Sequence, residues 1–479
     1  MKTGLVLSLF LFGIGGRGPV AMAQSPGTFR ATGNMTTSRF HHTATLLPNG
    51  KVLIAGGATT AFPILASAEL YDPATGRFTP TGSMSVHRAY HTAILLSNGK
   101  VLIVGGSYSA SAELYDPDSG TFSPTGDMLL ARTTAPTATL LNDGRVLVVG
   151  GSLGSFGLTD AELYDPTSGT FTSTGSLNKL RYAGVATLLS NGKIFIDGGI
   201  ALPDTDASEI YDPATASFAL AGAGVYGYGD GPVKANLLTN GKVLEISGPA
   251  CDDPCLDSHD AVLYDPVAST FTATGTSTSV RVLIDGYETA TTLLPDGNVL
   301  MVGRGLGELF DPASSTFTSS ARMIMSRSGH TATLLRDGTV LVAGGQDVSG
   351  NAPGATAEIY SPPILVPAPA LFALSGDGQG QGVIWHAQTG QIASAGSPAV
   401  AGEALSMYTT SLADGGVIPP QVAIGGRLAE VLYFGTAPGY PGYCQVNIRV
   451  PSGVASGSAV PVRLSYIGRP SNEVVISVK

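Results

Sequence analysis

The sequence predicts an all-β protein in which seven four-stranded repeats form a ring, followed by a second β domain of different pattern. Three observations predict this fold class. Short apolar runs of four or five residues alternate with turn dipeptides throughout residues 28–362. Gly (64) and Pro (31) make up about a fifth of the 479 residues, whereas charged residues make up 13%. No long stretch shows the 3.6-residue apolar period of a helix.

One repeat, residues 88–122, shows how the strands are specified. The apolar runs AILL and KVLIV are too short for helices, and the Asn-Gly dipeptide at 98–99 between them suits a type I′ hairpin turn. The double glycine at 105–106 ends the second strand, where a side chain would obstruct a bulge or a close backbone approach. The run AELY forms a third strand, and the Asp-Pro dipeptide at 116–117 turns the chain into a fourth. Each repeat is therefore predicted to be one antiparallel meander.

The number of hairpins predicts the number of blades. Spacings of 41 to 56 residues, combined with double glycines, indicate a β-propeller rather than a solenoid. A spare copy of the fourth strand at 28–35 precedes the first hairpin, and none follows residue 362, so we expect this strand to complete the last blade and close the ring. The hairpin dipeptide begins at Asn49, Asn98, Asp143, Asn191, Asn240, Asp296 and Asp337.

The segments on either side of the repeats have other patterns. Residues 1–23 are typical of a secretory signal peptide, with Lys2, an apolar core and an Ala-Met-Ala site before Gln24. We therefore expect a propeller at 24–362 that is secreted, periplasmic or at the cell surface, with no integral membrane segment in the mature chain.

Residues 363–479 begin with a proline-containing linker and continue as strand-like runs that predict an immunoglobulin-like sandwich. Because the net charge is −10 and Lys and Arg never cluster, nucleic acid is not an expected partner.

The three cysteines suit an oxidising compartment. Cys251 and Cys255 lie within CDDPC, close enough for a local disulfide, and Cys444 is left over. Asp and His residues nearby make metal binding the alternative at this segment.

The repeat resembles a known family. The apolar run, the double glycine, the Tyr and the later aromatic residue are similar to the kelch repeat, in the version found in secreted bacterial proteins and in galactose oxidase. Repeats five and six depart from it, with Ser247-Gly248 and Gly303-Arg304 in place of the double glycine. Residues 438–453 resemble an uncharacterised C-terminal domain of secreted soil-bacterial proteins, which implies no chemistry.

Candidate functional residues fall on one face of the predicted propeller. All tight turns share one face, and the variable loops and first-strand starts share the other, where loops on a rigid scaffold can bind ligands. Four arginines occupy one repeat position there, and three histidines follow three residues later. The pattern has two interpretations: a copper or zinc site made by converging imidazoles, or a repeat consensus in which each His bonds the backbone of a neighbouring blade. The residues are Arg39, Arg88, Arg181, Arg327, His42, His91 and His330.

The resemblance to galactose oxidase tests the metal interpretation. It implies a copper held by a Tyr followed directly by a His, by a second Tyr crosslinked to Cys, and by a His of the C-terminal domain. Tyr90-His91 matches the first pair, and His386 is the only C-terminal histidine. No second Tyr occupies the corresponding position of another repeat, and no Cys precedes residue 251, so the crosslinked centre has no matching residues. Copper is therefore implied only under the enzyme alternative, with Tyr90 as its catalytic residue.

Two further features bear on function. Lys234 and Glu245 are expected to lie diagonally on one face of a hairpin and to form a buried ion pair. Several tyrosines of the variable face could stack on sugar rings. We therefore predict an exported binding protein, rather than an enzyme, that recognises a glycan or an exported protein. The alternatives are a galactose-oxidase-like oxidoreductase and a structural cell-surface module. The predicted ligand-binding residues are the four arginines together with Tyr90, Tyr226, Tyr228 and Tyr287.

Overall fold

The predicted fold class is confirmed by a computed structural model of the chain. All regular structure in the described residues is β, arranged as seven four-stranded antiparallel sheets followed by a C-terminal sheet. Several predicted features lie outside the described residues. They are the signal peptide, the pair Cys251 and Cys255, and the tyrosines Tyr226, Tyr228 and Tyr287. The structure describes residues 27–59, 63–154, 156–181, 183–199, 207–223, 234–246, 261–275, 277, 289–347, 354–366, 368–412 and 418–479.

Each blade is a meander whose first strand faces the central channel and whose fourth strand is outermost, and the blades are numbered by their hairpins. Blades one to three comprise Thr43–Leu46, Val52–Ala55, Ala68–Asp72 and Arg77–Pro80; Thr92–Leu95, Val101–Val104, Ala112–Asp116 and Thr121–Pro124; and Thr137–Leu140, Val146–Val149, Ala161–Asp165 and Thr170–Ser173. Blades four to six comprise Val185–Leu188, Ile194–Asp197, Ala207–Asp212 and Ser217–Ala223; Lys234–Leu237, Val243–Ile246, Ala261–Asp265 and Thr270–Ala273; and Thr289–Leu293, Val299–Gly303, Leu306–Asp311 and Thr316–Ser319. A short extra hairpin, Ser152–Leu153 and Phe156–Gly157, extends from blade three.

Blade seven joins the two ends of the ring. Its first three strands are Thr331–Leu334, Val340–Ala343 and Ala357–Ser361, and its fourth strand is the N-terminal segment Thr28–Ala31. Thr28 pairs with Ser361 and Ala31 with Glu358, in antiparallel register. The edge of the third strand, Ala357–Ser361, is therefore paired rather than exposed.

The core lies between the blades. In blade two, Val101 and Ile103 pack against blade one, whereas Leu102 and Val104 pack against blade three. All four side chains are fully buried. Because both faces of the second strand are covered, this strand reads as a continuous apolar run instead of an alternating pattern.

The double glycine fixes the backbone beside the variable face. Gly105 and Gly106 both have positive φ, 71° and 69°. A Cβ atom on Gly106 would lie 2.4 Å from the carbonyl oxygen of Ala89 and 2.6 Å from the Cβ of His91. The second strand can therefore end directly against the segment that carries the Arg-x-x-His pattern.

The C-terminal domain is one curled sheet around its own apolar core. It packs on the hairpin-turn face of the propeller: Ser97 Oγ donates to the carbonyl of Gly426 at 2.8 Å, and Arg336 donates to the carbonyl of Ser471 at 3.0 Å. Within the described residues, no helix is long and apolar enough to span a bilayer. The strands of this domain are Ile384–His386, Ala404–Thr409, Gln421–Ile424, Arg427–Thr436, Cys444–Arg449, Gly457–Tyr466, Arg469–Pro470 and Val474–Val478.

Candidate functional site

A cavity of about 380 Å³ lies at the mouth of the channel, where the first strands begin. It opens on the face opposite the C-terminal domain, and its described walls come from blades one, two, three, five, six and seven. No Asp or Glu occurs among these described wall residues. They are His41, His42, Ala44, Tyr90, His91, Thr92, Ala135, Pro136, Lys234, Thr289, Ala290, Thr291, Gly329, His330, Thr331, Ala332 and Thr333.

The arginines of the pattern do not reach this cavity, which corrects the prediction that Arg39, Arg88, Arg181 and Arg327 bind a ligand. Each is at most 2% exposed and forms an ion pair with the glutamate of the third strand in its own blade. Arg39 Nη2, for example, lies 2.9 Å from Glu69 Oε1, and Arg39 Nη1 donates to the carbonyl of Gly56 at 2.8 Å. The other N···O distances are 3.5 Å for Arg88–Glu113, 2.7 Å for Arg132–Glu162, 3.4 Å for Arg181–Glu209 and 2.9 Å for Arg327–Glu358.

The partner glutamates also bind the chain that enters each blade. Glu69 accepts backbone N–H groups from Thr36 at 2.7 Å and Thr37 at 3.2 Å. The Arg-Glu pair is thus a clamp between the third strand and the loop before the first strand. Arg132 was not recognised as a member of the Arg series in the sequence, because one extra residue separates it from its hairpin. Its partner Glu162, at the consensus position, was the signal that could have revealed it.

The three histidines of the pattern do line the cavity, and they are 5 to 7% exposed. His42 Nε2 lies 3.2 Å from Thr331 Oγ1 of blade seven, and His91 Nε2 lies 3.0 Å from Thr43 Oγ1 of blade one. The imidazoles of His42 and His91 therefore bond the preceding blade, as the repeat-consensus interpretation expected. The partner is a threonine hydroxyl instead of the backbone. His330 has no corresponding partner for either ring nitrogen.

Burial keeps these imidazoles neutral. It lowers the pKa of His91 to about 3, and the positive charge of Arg88 acts in the same direction. Burial likewise lowers the pKa of His330 to about 3, with Arg327 adding to the effect and the nearby backbone of Val302 opposing it. The pKa of His42 is also well below its usual value, chiefly through burial and then through Arg39. The cavity is therefore lined by neutral rings that can donate or accept hydrogen bonds.

The residue before each of these positions has left-handed backbone geometry. His41 and Tyr90 have φ of 53° and 57°, and Ala135 and Ala183 have φ of 42° and 59°. Each backbone N–H donates to the carbonyl of the equivalent residue in the preceding blade, at 2.9 to 3.1 Å, from Gly329 through Ala183. This row of bonds explains the unusual φ without invoking catalysis. It also orients the His41 and Tyr90 rings, which stack with centroids 4.0 Å apart.

Lys234 and Glu245 do not form the predicted pair, which is a second correction. Lys234 pairs in register with Ile246, and Ala235 pairs with Glu245, so the Lys and Glu side chains point to opposite faces of the hairpin. Lys234 lines the cavity, where its charge contributes to the low pKa of His41 after burial. The fully buried Glu245 faces Asp197 of blade four instead. Burial, followed by the negative charge of Asp197, raises the pKa of Glu245 well above its usual value.

The residues that the copper interpretation requires are not brought together. Among the described residues, no three His, Cys, Asp or Glu side chains form a group that could hold a metal ion. His386 lies in the C-terminal domain, where Nδ1 pairs with Glu403 and Nε2 lies 2.9 Å from the carbonyl of Ser397. Cys444 is buried in the core of the same domain. Of the three residues that match the copper ligands of galactose oxidase, Tyr90 and His91 line the cavity, whereas His386 does not.

Comparison with known proteins supports the fold. No family model matches the sequence, and no curated protein matches it. Among solved structures, the chain is similar to a protein described as a novel fungal alcohol oxidase with catalytic diversity among the AA5 family, in complex with copper. The TM-score is 0.64 with 18% sequence identity, over 95% of this chain and all of the oxidase chain. At this identity the likeness shows a shared propeller architecture.

Proposed function

We propose that this chain is an exported kelch-type binding protein that recognises the hydroxyl groups of a glycan in the cavity at the channel mouth. The observation that carries the proposal is the cavity itself, with neutral imidazoles from blades one, two and seven around it. Its volume of about 380 Å³ is within the range of small-molecule sites, about 300–1,000 Å³. Sugars are recognised by polar groups that both donate and accept hydrogen bonds, together with aromatic faces, and both kinds of group line these walls.

The stacked pair of His41 and Tyr90 supplies the aromatic surface in this proposal. Tyr90 can be removed without disturbing the backbone, because Ala135 and Ala183 hold the equivalent left-handed position in blades three and four. Tyr90→Ala should therefore fold normally and lose at least tenfold in affinity. Tyr108→Ala is the matched control, because this 86% exposed tyrosine lies in the same blade but outside the cavity walls.

Binding is tested with the full mature chain on a glycan array, followed by calorimetric titration of the sugars that are captured. Loss of affinity in Tyr90→Ala but not in Tyr108→Ala supports the site. Capture of exported proteins with no retained sugar, or equal affinity in both variants, contradicts the proposal.

A copper-dependent alcohol oxidase is the second candidate. It is favoured by the likeness to the AA5 oxidase and by the adjacent Tyr90 and His91 in the cavity wall. The described donor set does not fit a metal centre, because His91 already bonds Thr43 and no third donor joins it. Elemental analysis of protein purified in the presence of copper separates the candidates. Stoichiometric copper that is lost in His91→Ala would favour the oxidase over the binding protein.

A further inference from the structure

Threonines and histidines form a repeating bond across the seams between blades. Thr331 of blade seven bonds His42 of blade one, and Thr43 of blade one bonds His91 of blade two. In each case the threonine is the first residue of its first strand, and the histidine is the residue just before the next first strand. The hydroxyl of one blade therefore satisfies the imidazole of the following blade.

The seam between blades six and seven lacks this hydroxyl. Leu293 pairs with Val299 in blade six as Leu334 pairs with Val340 in blade seven, so the two strands can be aligned position by position. In that alignment Ala290 occupies the position of Thr331. The imidazole that follows the seam is His330, and the methyl group of Ala290 has no hydrogen-bonding atom to offer it.

His330 is consequently a buried imidazole without a side-chain hydrogen-bond partner, and the backbone of Val302 is the hydrogen-bonding group beside its ring. Its side chain is about 7% exposed, and neither ring nitrogen has a donor or acceptor in hydrogen-bond geometry. The ring lies beside the backbone of Val302, which pairs with Ala290. A buried polar group left without a partner is unfavourable, and such groups usually bind water or a ligand. Both His330 and Ala290 line the cavity at the channel mouth, so a molecule in the cavity can reach the unfilled position.

We infer that a hydroxyl group of the ligand occupies the position of the missing threonine hydroxyl and bonds His330. This inference rests on the proposed function and narrows it to one contact: the recognised group is an alcohol, presented at the seam of blades six and seven. An alcohol matches because it reproduces the Thr-to-His bond found at two other seams. Since His330 stays neutral at ordinary pH, a carboxylate ligand would gain no ion pair from it.

The test places a hydroxyl group of the protein itself at residue 290, where the ligand hydroxyl is inferred to bind. Ala290→Thr supplies the hydroxyl, and Ala290→Val has the same shape without it. Ala290→Thr should unfold at a higher temperature than Ala290→Val, because only threonine satisfies His330. In titrations with galactose, glucose and glycerol, Ala290→Thr should bind at least tenfold more weakly than the wild type, whereas Ala290→Val should bind more tightly than Ala290→Thr.

Each outcome decides a separate point. Equal melting temperatures for the two variants would mean that His330 already has a partner, such as the backbone of Val302, and would overturn the inference. Equal sugar affinity in Ala290→Thr and the wild type would also overturn it, while leaving the proposed binding function intact. If the wild type binds no sugar or polyol, the proposed function fails, and the inferred ligand contact fails with it. The melting comparison then still decides whether His330 lacks a partner.

Discussion

Removing Glu69 should test whether the Arg-Glu clamps hold the propeller together. Arg39 is fully buried, and Glu69→Ala would leave its guanidinium without the carboxylate 2.9 Å away. The backbone N–H groups of Thr36 and Thr37 would lose their acceptor in the same step. Removing one partner of a buried ion pair costs about 3–5 kcal/mol, because the remaining charge is neither paired nor hydrated. We therefore expect the free energy of unfolding to fall by that amount.

The assay is urea unfolding followed by far-ultraviolet circular dichroism. Lys100→Ala is the control, because it breaks an ion pair with Asp116 of the same 2.9 Å length in which the lysine is 40% exposed. An exposed pair contributes about 0–1 kcal/mol, so the control should unfold near the wild type. The double variant Arg39→Leu with Glu69→Leu should recover much of the loss, since apolar replacement of both partners removes the unpaired charge.

Blade five has an apolar residue at one of these two positions. Val262 stands there at the position of the third-strand glutamate. If Glu69→Ala unfolds within about 1 kcal/mol of the wild type, or if the double variant is no more stable than the single one, the clamp is not stabilising the blade as we argue.

Two other predictions follow from the fold. Burial beside Asp197 raises the pKa of Glu245, so the folded chain holds this proton more tightly than the unfolded chain. The resulting stabilisation is complete below the usual glutamate pKa of 4.5 and is lost as pH rises through the raised value. Glu245→Gln should therefore gain stability relative to the wild type as pH rises above 4.5 in urea titrations, and a pH-independent difference would contradict the assignment. Deleting residues 24–36 removes the strand paired with Ala357–Ser361 and should lower the melting temperature of the whole propeller; unchanged melting would show that this strand does not close the ring.

Much of the fold could be read from local chemistry. Asn-Gly and Asp-Pro turns, double glycines and apolar runs of four residues act over short distances, so each repeat specifies its own meander. The number of hairpins then specified seven blades. The closing role of residues 28–35 was also visible, because a strand without a blade and a blade without a strand occur in one chain.

The candidate site could be read only in part. The spacing of His42, His91 and His330 was sufficient to place them on one sector of the ring. The same spacing suggested that the arginines were available to a ligand, whereas the structure shows them buried and ion-paired with glutamates about 30 residues away. Sequence spacing records position along a strand, but whether a charged side chain meets solvent or a partner depends on residues distant in the chain.

By itself, then, the sequence determined the seven meanders, their turns and the recurrence of Arg-x-x-His, because these depend on residues close together in the chain. Tertiary structure decided what the recurrence means. Strand register turned Lys234 and Glu245 to opposite faces, and the packing of blade seven beside blade six placed His330 and Ala290 in the wall of one cavity. The cavity at the channel mouth exists because the first strands of different blades converge on one axis. Whether a polar side chain there has a hydrogen-bond partner depends on the residue that the neighbouring blade places beside it.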